Sequence, residues 1–466
     1  MKKRLLFSFT TLLIITMLLS ACNLPFSLPL SGSAGAETEE EKVTEPAAEE
    51  TVAATTGAVT PEATDEVTEI PDATEEATEP EESPTSEEIQ EPQAGTYGPN
   101  DFPEDINPLT GLSTDPELLD LPPAMVSVSN FPASARPQYG LNTSPVVFEI
   151  TIGEGMTRFL ALFYGAFPEQ VSGLTEGQTG DGNSGGDSSG DDSSGGTTGG
   201  SAASIGPIRS GRLPYEDIRS LFSGFLVMAS AYSGVAANLN DTTTIYGSDS
   251  NDINSARIDV SQLYNLALER SQTYPGNSFN LEGNKFSPTP PEGGMKADEA
   301  WLFYSNLNQV QWRYDEERGA YVRYDIKTDG SGEFVMSTDG LDKEPITREN
   351  VIVLFARHEY YAPTLIDIYL DNMPPMKALL FRDGEVHEMF WTTQYGDYEK
   401  ETGLLRPIRF VDEDGNPVAL KNGQTWVEIV STSSFYVESE ISDHPFFPIK
   451  EEEGTGLWLV RYKGLY

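Results

Sequence analysis

The sequence predicts an α+β protein: a mixed α/β N-terminal domain over residues 101–294, a mostly β C-terminal domain over 295–466, and a disordered tether before both. Three observations carry this. Between 101 and 294 short apolar runs alternate with segments of helical periodicity; from 295 onward strand-like runs follow one another with turn residues between them; and residues 23–100 are built mainly from Glu, Thr, Ala and Pro.

In the first region, Ala124–Val128, Val146–Ile152, Arg158–Phe167 and Phe225–Ala231 read as strands, the last two apolar on both faces and therefore central. Leu213–Ser223 reads as a helix, because Pro214 suits the first turn, Glu216 and Asp217 suit the positive end, and Ile218, Leu221 and Phe222 form one face before Gly224. Val260–Ser271 is a second helix. In the other region the strands are Val310–Tyr314, Ala320–Tyr324, Val351–Arg357, Leu365–Leu370, Ala378–Phe381, Val386–Trp391, Ile408–Val411 and Trp426–Val430, with hairpin chemistry at Asp383-Gly384 and Asp414-Gly415-Asn416.

Composition narrows the function. Across 466 residues there are 74 Asp and Glu against 29 Lys and Arg, a net charge of -45, one Cys and three His. Nucleic acid is excluded as a partner, since phosphate-backbone binding rests on clustered cations. A single Cys forms no internal disulfide and no Cys-rich metal site, and His358, His387 and His444 have no metal-ligand spacing, so no cofactor and no metal are expected. The acidity is uneven: residues 31–100 hold 20 acids against Lys42 alone, and the Gly/Ser/Asp-rich stretch 173–204 holds five acids and no base. The first is an extended tether that cannot bury enough apolar surface to fold; the second is a flexible surface insertion within the α/β domain.

The N-terminus carries a localisation signal. Lys2-Lys3-Arg4, the apolar run Leu5–Leu19 and Leu19-Ser20-Ala21-Cys22 form a lipoprotein signal peptide of residues 1–22 ending in a lipobox, in which Cys22 receives the lipid. Diacylglycerol and an N-acyl (palmitate-type) chain supply the two anchors that stable attachment needs. The expected location is the extracytoplasmic face of the cell membrane, with the membrane as partner through Cys22.

Order and spacing of motifs in the body resemble a known family. Asn107-Pro108-Leu109-Thr110-Gly111-Leu112, Ser129-Asn130-Phe131-Pro132, Arg136-Pro137-Gln138, Glu154-Gly155-Met156-Thr157-Arg158-Phe159 and Gly206-Pro207-Ile208-Arg209-Ser210 are followed by Trp312-Arg313-Tyr314-Asp315, Asn350-Val351-Ile352-Val353 and Gly423-Gln424-Thr425-Trp426. Over roughly 107–430 this is similar to the YerB-like lipoprotein family, a domain of unknown function (3048) with N- and C-terminal parts. The resemblance implies a lipid-anchored envelope protein with an α/β and a β-rich domain, and it implies no activity. The chain departs from the family pattern in the 173–204 insertion, in Gly211 where the pattern has Ala, and in lacking its His residues near 225–231 and 276.

Between Lys42 and Lys285 there is no Lys, while Arg136, Arg158, Arg209, Arg212, Arg219, Arg257 and Arg270 are present, a choice that suits planar recognition of carboxylate or phosphate. Pairing the strands 146–152 and 158–167 through a loop at 153–156, with Ile152 opposite Thr157, puts Glu149 diagonally from Arg158 on one sheet face, roughly 7–8 Å apart. With Thr151 they form a polar strip beside Glu154 on the loop, and Arg209, Ser210 and Arg212 precede the Leu213 helix, whose free N–H groups attract anions. The candidate anion or ligand site is thus Arg136, Glu149, Glu154, Arg158, Arg209, Ser210 and Arg212; the same residues are open to a structural reading as an Arg158–Glu149 bridge. No complete catalytic constellation is present, and the expected role is binding or scaffolding of cell-wall fragments or of envelope proteins. The alternative is a glycan hydrolase using Glu149 and Glu154 as paired carboxylates. Aromatics of the β domain, Tyr360 and Tyr361 above all, offer a second binding surface.

Loop-closure entropy grows only logarithmically with length, so deleting Gly173–Ser204 should change unfolding free energy by roughly 1 kcal/mol or less. Chemical denaturation checks this; a large loss would mean that the segment carries structure the fold needs.

Overall fold

The computed structural model describes residues 95–168, 203–273, 279–441 and 449–464. The signal peptide, Cys22, the tether up to residue 94 and the insertion up to residue 202 lie outside the described residues. The described residues all belong to one compact unit.

Counting strands of three or more residues, the chain runs β1 (Ala124–Ser129), β2 (Val146–Gly153), β3 (Met156–Phe163), α1 (Pro214–Leu221), β4 (Phe225–Met228), β5 (Thr242–Thr244) and α2 (Val260–Thr273). It continues through β6 (Glu299–Ser305), β7 (Asn308–Asp315), β8 (Ala320–Ile326), β9 (Phe334–Met336), β10 (Asn350–Ala362), β11 (Leu365–Tyr369), β12 (Met376–Arg382) and β13 (Glu385–Thr392). The last five are β14 (Arg409–Val411), β15 (Thr425–Ser431), β16 (Phe435–Ile441), β17 (Ile449–Glu451) and β18 (Leu457–Arg461). The α+β class holds, with strand well in excess of helix.

Strands from both sides of residue 295 join one sheet, ordered β14-β13-β12-β10-β15-β2-β3-β1-β4-β5, with β11 and the pair Met295–Lys296 attached. The junction is the parallel pairing of β2 with β15, in which Val147 lies beside Trp426 and Glu149 beside Glu428. A second sheet, β9-β8-β7-β6-β18-β16-β17, packs against one face of the first. That interface is filled by Val147, Phe159, Val353 and Trp426 from the large sheet and by Leu302, Trp312, Tyr321 and Val460 from the small one. The other face of the large sheet is covered by α1 through Tyr215, Ile218 and Leu221 and by Ile366 and Ile368 of β11. Both faces being dry explains why β1, β2 and β3 are buried at almost every position and mostly apolar on both faces.

Local rules account for the turns. Asp383 and Gly384 both take positive φ (52° and 74°) between the paired Arg382 and Glu385, the type I′ geometry that suits the twist of a two-residue hairpin. Glu154 and Gly155 do the same (53° and 72°) between Gly153 and Met156. Strands β6, β16 and β18 were not among the expected elements; β6 forms a hairpin with β7 through Asn306–Leu307, but its pairing with β18 spans more than half of the C-terminal region, Glu299 beside Leu457, and no short-range turn announces that.

Charge is buried between the sheets. Arg323 of β8, 1% exposed, donates from Nη1 to Glu149 Oε2 at 2.8 Å and from Nη2 to Asp325 Oδ1 at 3.1 Å, with Glu428 Oε1 at 3.5 Å. The rings of Trp426, Phe159 and Trp312 surround its guanidinium at 4.7, 5.1 and 5.4 Å. Glu428 accepts from Tyr304 Oη at 2.7 Å and Trp312 Nε1 at 2.9 Å. Burial, and then the adjacent Glu149 carboxylate, push the Glu428 carboxyl up to about 8 against the pull of Arg323. A neutral Glu428 leaves Glu149 and Asp325 balanced by Arg323 and Arg136.

The folded protein therefore keeps a proton on Glu428 that the unfolded chain releases near the ordinary value of 4.5. Stability from this proton is complete below about pH 4.5 and is lost as pH rises through about 8. Glu428→Gln keeps the size and neutrality of the protonated acid, with one acceptor oxygen and an NH2 donor in place of the hydroxyl, and does not titrate. The melting temperature of the unsubstituted protein relative to Glu428→Gln should fall as pH is raised from about 5 to about 9; a difference independent of pH would mean that Glu428 is ionised throughout.

Candidate functional site

The site is built where β1 and β4 part company. These parallel neighbours pair through Ala124–Val126 and Phe225–Val227, and beyond that the segment 207–211 lies between them. Arg209 N donates to Ser127 O of β1 at 2.8 Å while Arg209 O accepts from Ala229 N at 3.0 Å, and Gly211 N donates to Ser230 O at 2.7 Å. The segment thus occupies the crevice past the carboxyl ends of two parallel strands, the place where open α/β sheets bind ligands. Gly211 fits because a Cβ there would meet Leu239 and Met228 at 2.6 Å.

Three guanidiniums converge on this segment. Arg158 of β3, opposite Ser129 of β1, donates from Nη1 to Ser210 O at 2.8 Å and lies 3.4 Å from Ser210 Oγ. Arg212 Nη1 reaches the same Oγ at 3.4 Å and Gly211 O at 3.2 Å. Arg209 donates to Ser129 Oγ and to Asn254 Oδ1, both at 3.1 Å. Among the described residues no carboxylate lies within 4.0 Å of any of the three, in contrast to Arg323 and Arg219. Arg158 is 6% exposed; its Nε and that of Arg212 are buried and have no hydrogen-bond partner. Burial first, and then the like charges of Arg212 and Arg209, bring the Arg158 guanidinium down to about 10 even with the Tyr215 phenol beside it. A cation held against desolvation and like charge, with donors unused, is poised for an anion.

The expected site divides between the two sheet faces. Arg158, Arg209, Ser210 and Arg212 come together; Arg136 and Glu149 do not join them. The register explains why. Gly153 pairs with Met156 as the loop position requires, but Ile152 is an extra residue, so Thr151 pairs with Thr157 and Ile150, not Thr151, faces Arg158. This bulge moves Arg158 to the face opposite Glu149, because one residue of slip reverses every side chain. There is accordingly no Arg158–Glu149 bridge and no Glu149–Thr151–Arg158 strip. Glu149 is fully buried, accepts from Thr157 Oγ1 at 2.6 Å and Asn130 Nδ2 at 3.4 Å, and pairs with Arg323. Arg136 joins that cluster through Asn130 Oδ1 at 3.0 Å and Asp325 at 3.5 Å. Glu154 is exposed on its turn. Glu149 and Glu154 therefore do not flank a common cleft.

The helix end also differs from expectation. Tyr215 N and Glu216 N of α1 donate to the carbonyls of Arg212 and Leu213 at 3.2 and 3.3 Å, so the attraction for an anion comes from guanidiniums and not from free helix N–H groups. Of the aromatics, Trp312, Trp391, Trp426 and Tyr321 are core, while Tyr361 is 56% exposed. Sequence reasoning missed Arg323, Asp325 and Glu428. Glu428 sits as a lone charge in Val427-Glu428-Ile429, and Arg323 and Asp325 are two charges on one face of a strand otherwise apolar or aromatic; that pattern was their signal.

Two stretches match family models: residues 109–174 match the N-terminal domain, and residues 300–427 the C-terminal domain, of a protein of unknown function, DUF3048. Both DUF3048 domains are thus found in this chain. Among solved structures, the crystal structure of the YerB protein from Bacillus subtilis is similar to this chain at 22% identity over 70% of it and 96% of YerB, with a TM-score of 0.48. No curated protein matches. Arg158 and Ser129 lie in the N-terminal match, and Arg323 and Asp325 in the C-terminal one.

Arg158→Met keeps the aliphatic stem and removes a buried charge that has no carboxylate partner. Its unfolding free energy should lie within about 1 kcal/mol of the parent or above it, since no ion pair is broken and the loss of the charged hydrogen bond to Ser210 O, about 1.5–3 kcal/mol, is offset by relief of desolvation and of the like charges of Arg212 and Arg209. Denaturant titration decides this; a loss of about 3–5 kcal/mol would make Arg158 a structural residue and dismantle the site.

Proposed function

We propose that this chain is a lipid-anchored extracytoplasmic protein that binds or scaffolds an anionic component of the cell envelope, taking it at Arg158, Arg209, Ser210 and Arg212. The single observation that carries the binding role is the convergence of three guanidiniums with no carboxylate partner and two buried, unused Nε donors. The lipobox at Leu19-Ser20-Ala21-Cys22 and the acidic segment after it support the anchored location, with the tether giving reach from the bilayer. Cell-wall fragments bearing carboxylate or phosphate are the ligands whose chemistry matches planar, bidentate donors. Glycan hydrolysis by Glu149 and Glu154 gains no support from the geometry, because Glu149 is sealed between the sheets and already neutralised by Arg323.

Two measurements test the reading. Labelled palmitate should enter the protein, and the label and membrane association should both be lost in Cys22→Ser. Purified full-length protein should be stabilised against heat by muropeptides or phosphorylated polyols, and Arg158→Met should abolish that shift while folding normally. Anionic fragments that leave the melting temperature unmoved, or a shift that survives Arg158→Met, would overturn the assignment of the site.

A further inference from the structure

We propose that the ligand of the arginine site is a phosphate monoester carried on a sugar ring, with the phosphate on the guanidiniums and the ring on the tyrosines of the rim. This rests on the anion-binding reading above and goes further in naming both ends of the ligand.

The floor selects phosphate. Three guanidiniums bring more positive charge than one carboxylate offsets, whereas a phosphate monoester carries about 1.5 to 2 negative charges at neutral pH and three acceptor oxygens. Ser210 Oγ, within 3.4 Å of both Arg158 and Arg212, marks the point on which the donors close.

The rim selects the rest of the molecule. The segment Ala229–Ser230 is hydrogen-bonded alongside Arg209–Gly211, and two residues later Tyr232 is 68% exposed. Ile245 N donates to Met228 O at 2.8 Å, which places Tyr246, 81% exposed, past the end of β5 beside the same segment. Asn254 accepts from Arg209, and its neighbour Ile253 is 54% exposed. Single exposed apolar side chains are ordinary, but here three issue from the loops at the strand ends that form the arginine site. Exposed Tyr beside a charged floor offers a flat apolar face and a hydroxyl, the surface on which a ring stacks. The loop 245–256 that carries Tyr246 and Ile253 contains Asp249 and Asp252 and no Lys or Arg, while Asp241, before β5, is already paired with Arg270. A ligand body with further negative charge is repelled there, and a neutral, hydroxyl-rich one is accepted by Asp, Asn and Ser side chains. A ring, hydroxyls and one phosphate together describe a sugar phosphate.

The test is calorimetric titration of the full-length protein with inorganic phosphate, glycerol 3-phosphate, N-acetylglucosamine 1-phosphate and unphosphorylated N-acetylglucosamine. The sugar phosphate should bind roughly tenfold more tightly than the two ligands without a ring, and the neutral sugar should not bind detectably. The double variant Tyr232→Ala, Tyr246→Ala should lose that tenfold advantage and keep its affinity for inorganic phosphate; Arg158→Met and, independently, the more exposed Arg209→Met should weaken every phosphate ligand. If phosphate binds but the sugar phosphate has no advantage, or keeps it in the double tyrosine variant, the ring assignment is overturned and the anion site stands. If no phosphate ligand binds, or binding is untouched in both arginine variants, the anion site itself falls.

Discussion

Arg323 holds the two sheets in one register. Its guanidinium lies between Glu149 and Glu428 of the large sheet and Asp325 of its own strand, and it is enclosed by Phe159, Trp312 and Trp426. Such a charge is tolerated in a dry interface only when every partner is in place; removing one strands the others at about 3–5 kcal/mol. Because Glu149 and Glu428 come from strands far apart in sequence, the contact also fixes which strand lies beside which. The cluster extends through Asp325 to Arg136 and Asn130 and back to Glu149, so a closed ring of ion pairs and hydrogen bonds joins β2 and β8 to the segment 130–136 that follows β1.

Against this compensated charge stands the uncompensated one on the reverse side of the same strands. Glu149 and Arg158 lie on paired strands, yet one faces a guanidinium and the other faces two. The difference is the single extra residue Ile152. By reversing the faces it commits Glu149 to holding the sheets together and leaves Arg158 without an acid. The two arginines thus illustrate two uses of the same side chain: Arg323 with its donors spent on carboxylates, Arg158 and Arg212 with donors to spare.

The arrangement around 207–211 follows from sheet geometry as much as from side chains. Where β1 and β4 diverge, their free backbone groups must be satisfied, and the segment does so from both sides. Arg209, Ser210 and Arg212 are thereby fixed on a braced stretch of backbone, not on a free loop, and the exposed residues of the neighbouring loops are carried on the same strand ends.

By itself the sequence determined the local elements and the family. The strands Ala124–Ser129 and Val146–Gly153 and the helix Pro214–Leu221 were legible because apolar period, proline and glycine punctuation and capping act over a few residues. Clustering of Arg209, Ser210 and Arg212 was legible for the same reason, being contiguous. Only the tertiary structure decided that β2 and β15 join both halves of the chain in one sheet, that Ile152 bulges and so parts Arg158 from Glu149, and that Glu428, Arg323 and Asp325 meet. The joining of β2 with β15 and the meeting of Glu428 with Arg323 and Asp325 depend on packing between residues more than a hundred positions apart, and at Ile152 one residue of register reverses a face; no local pattern carries that energy.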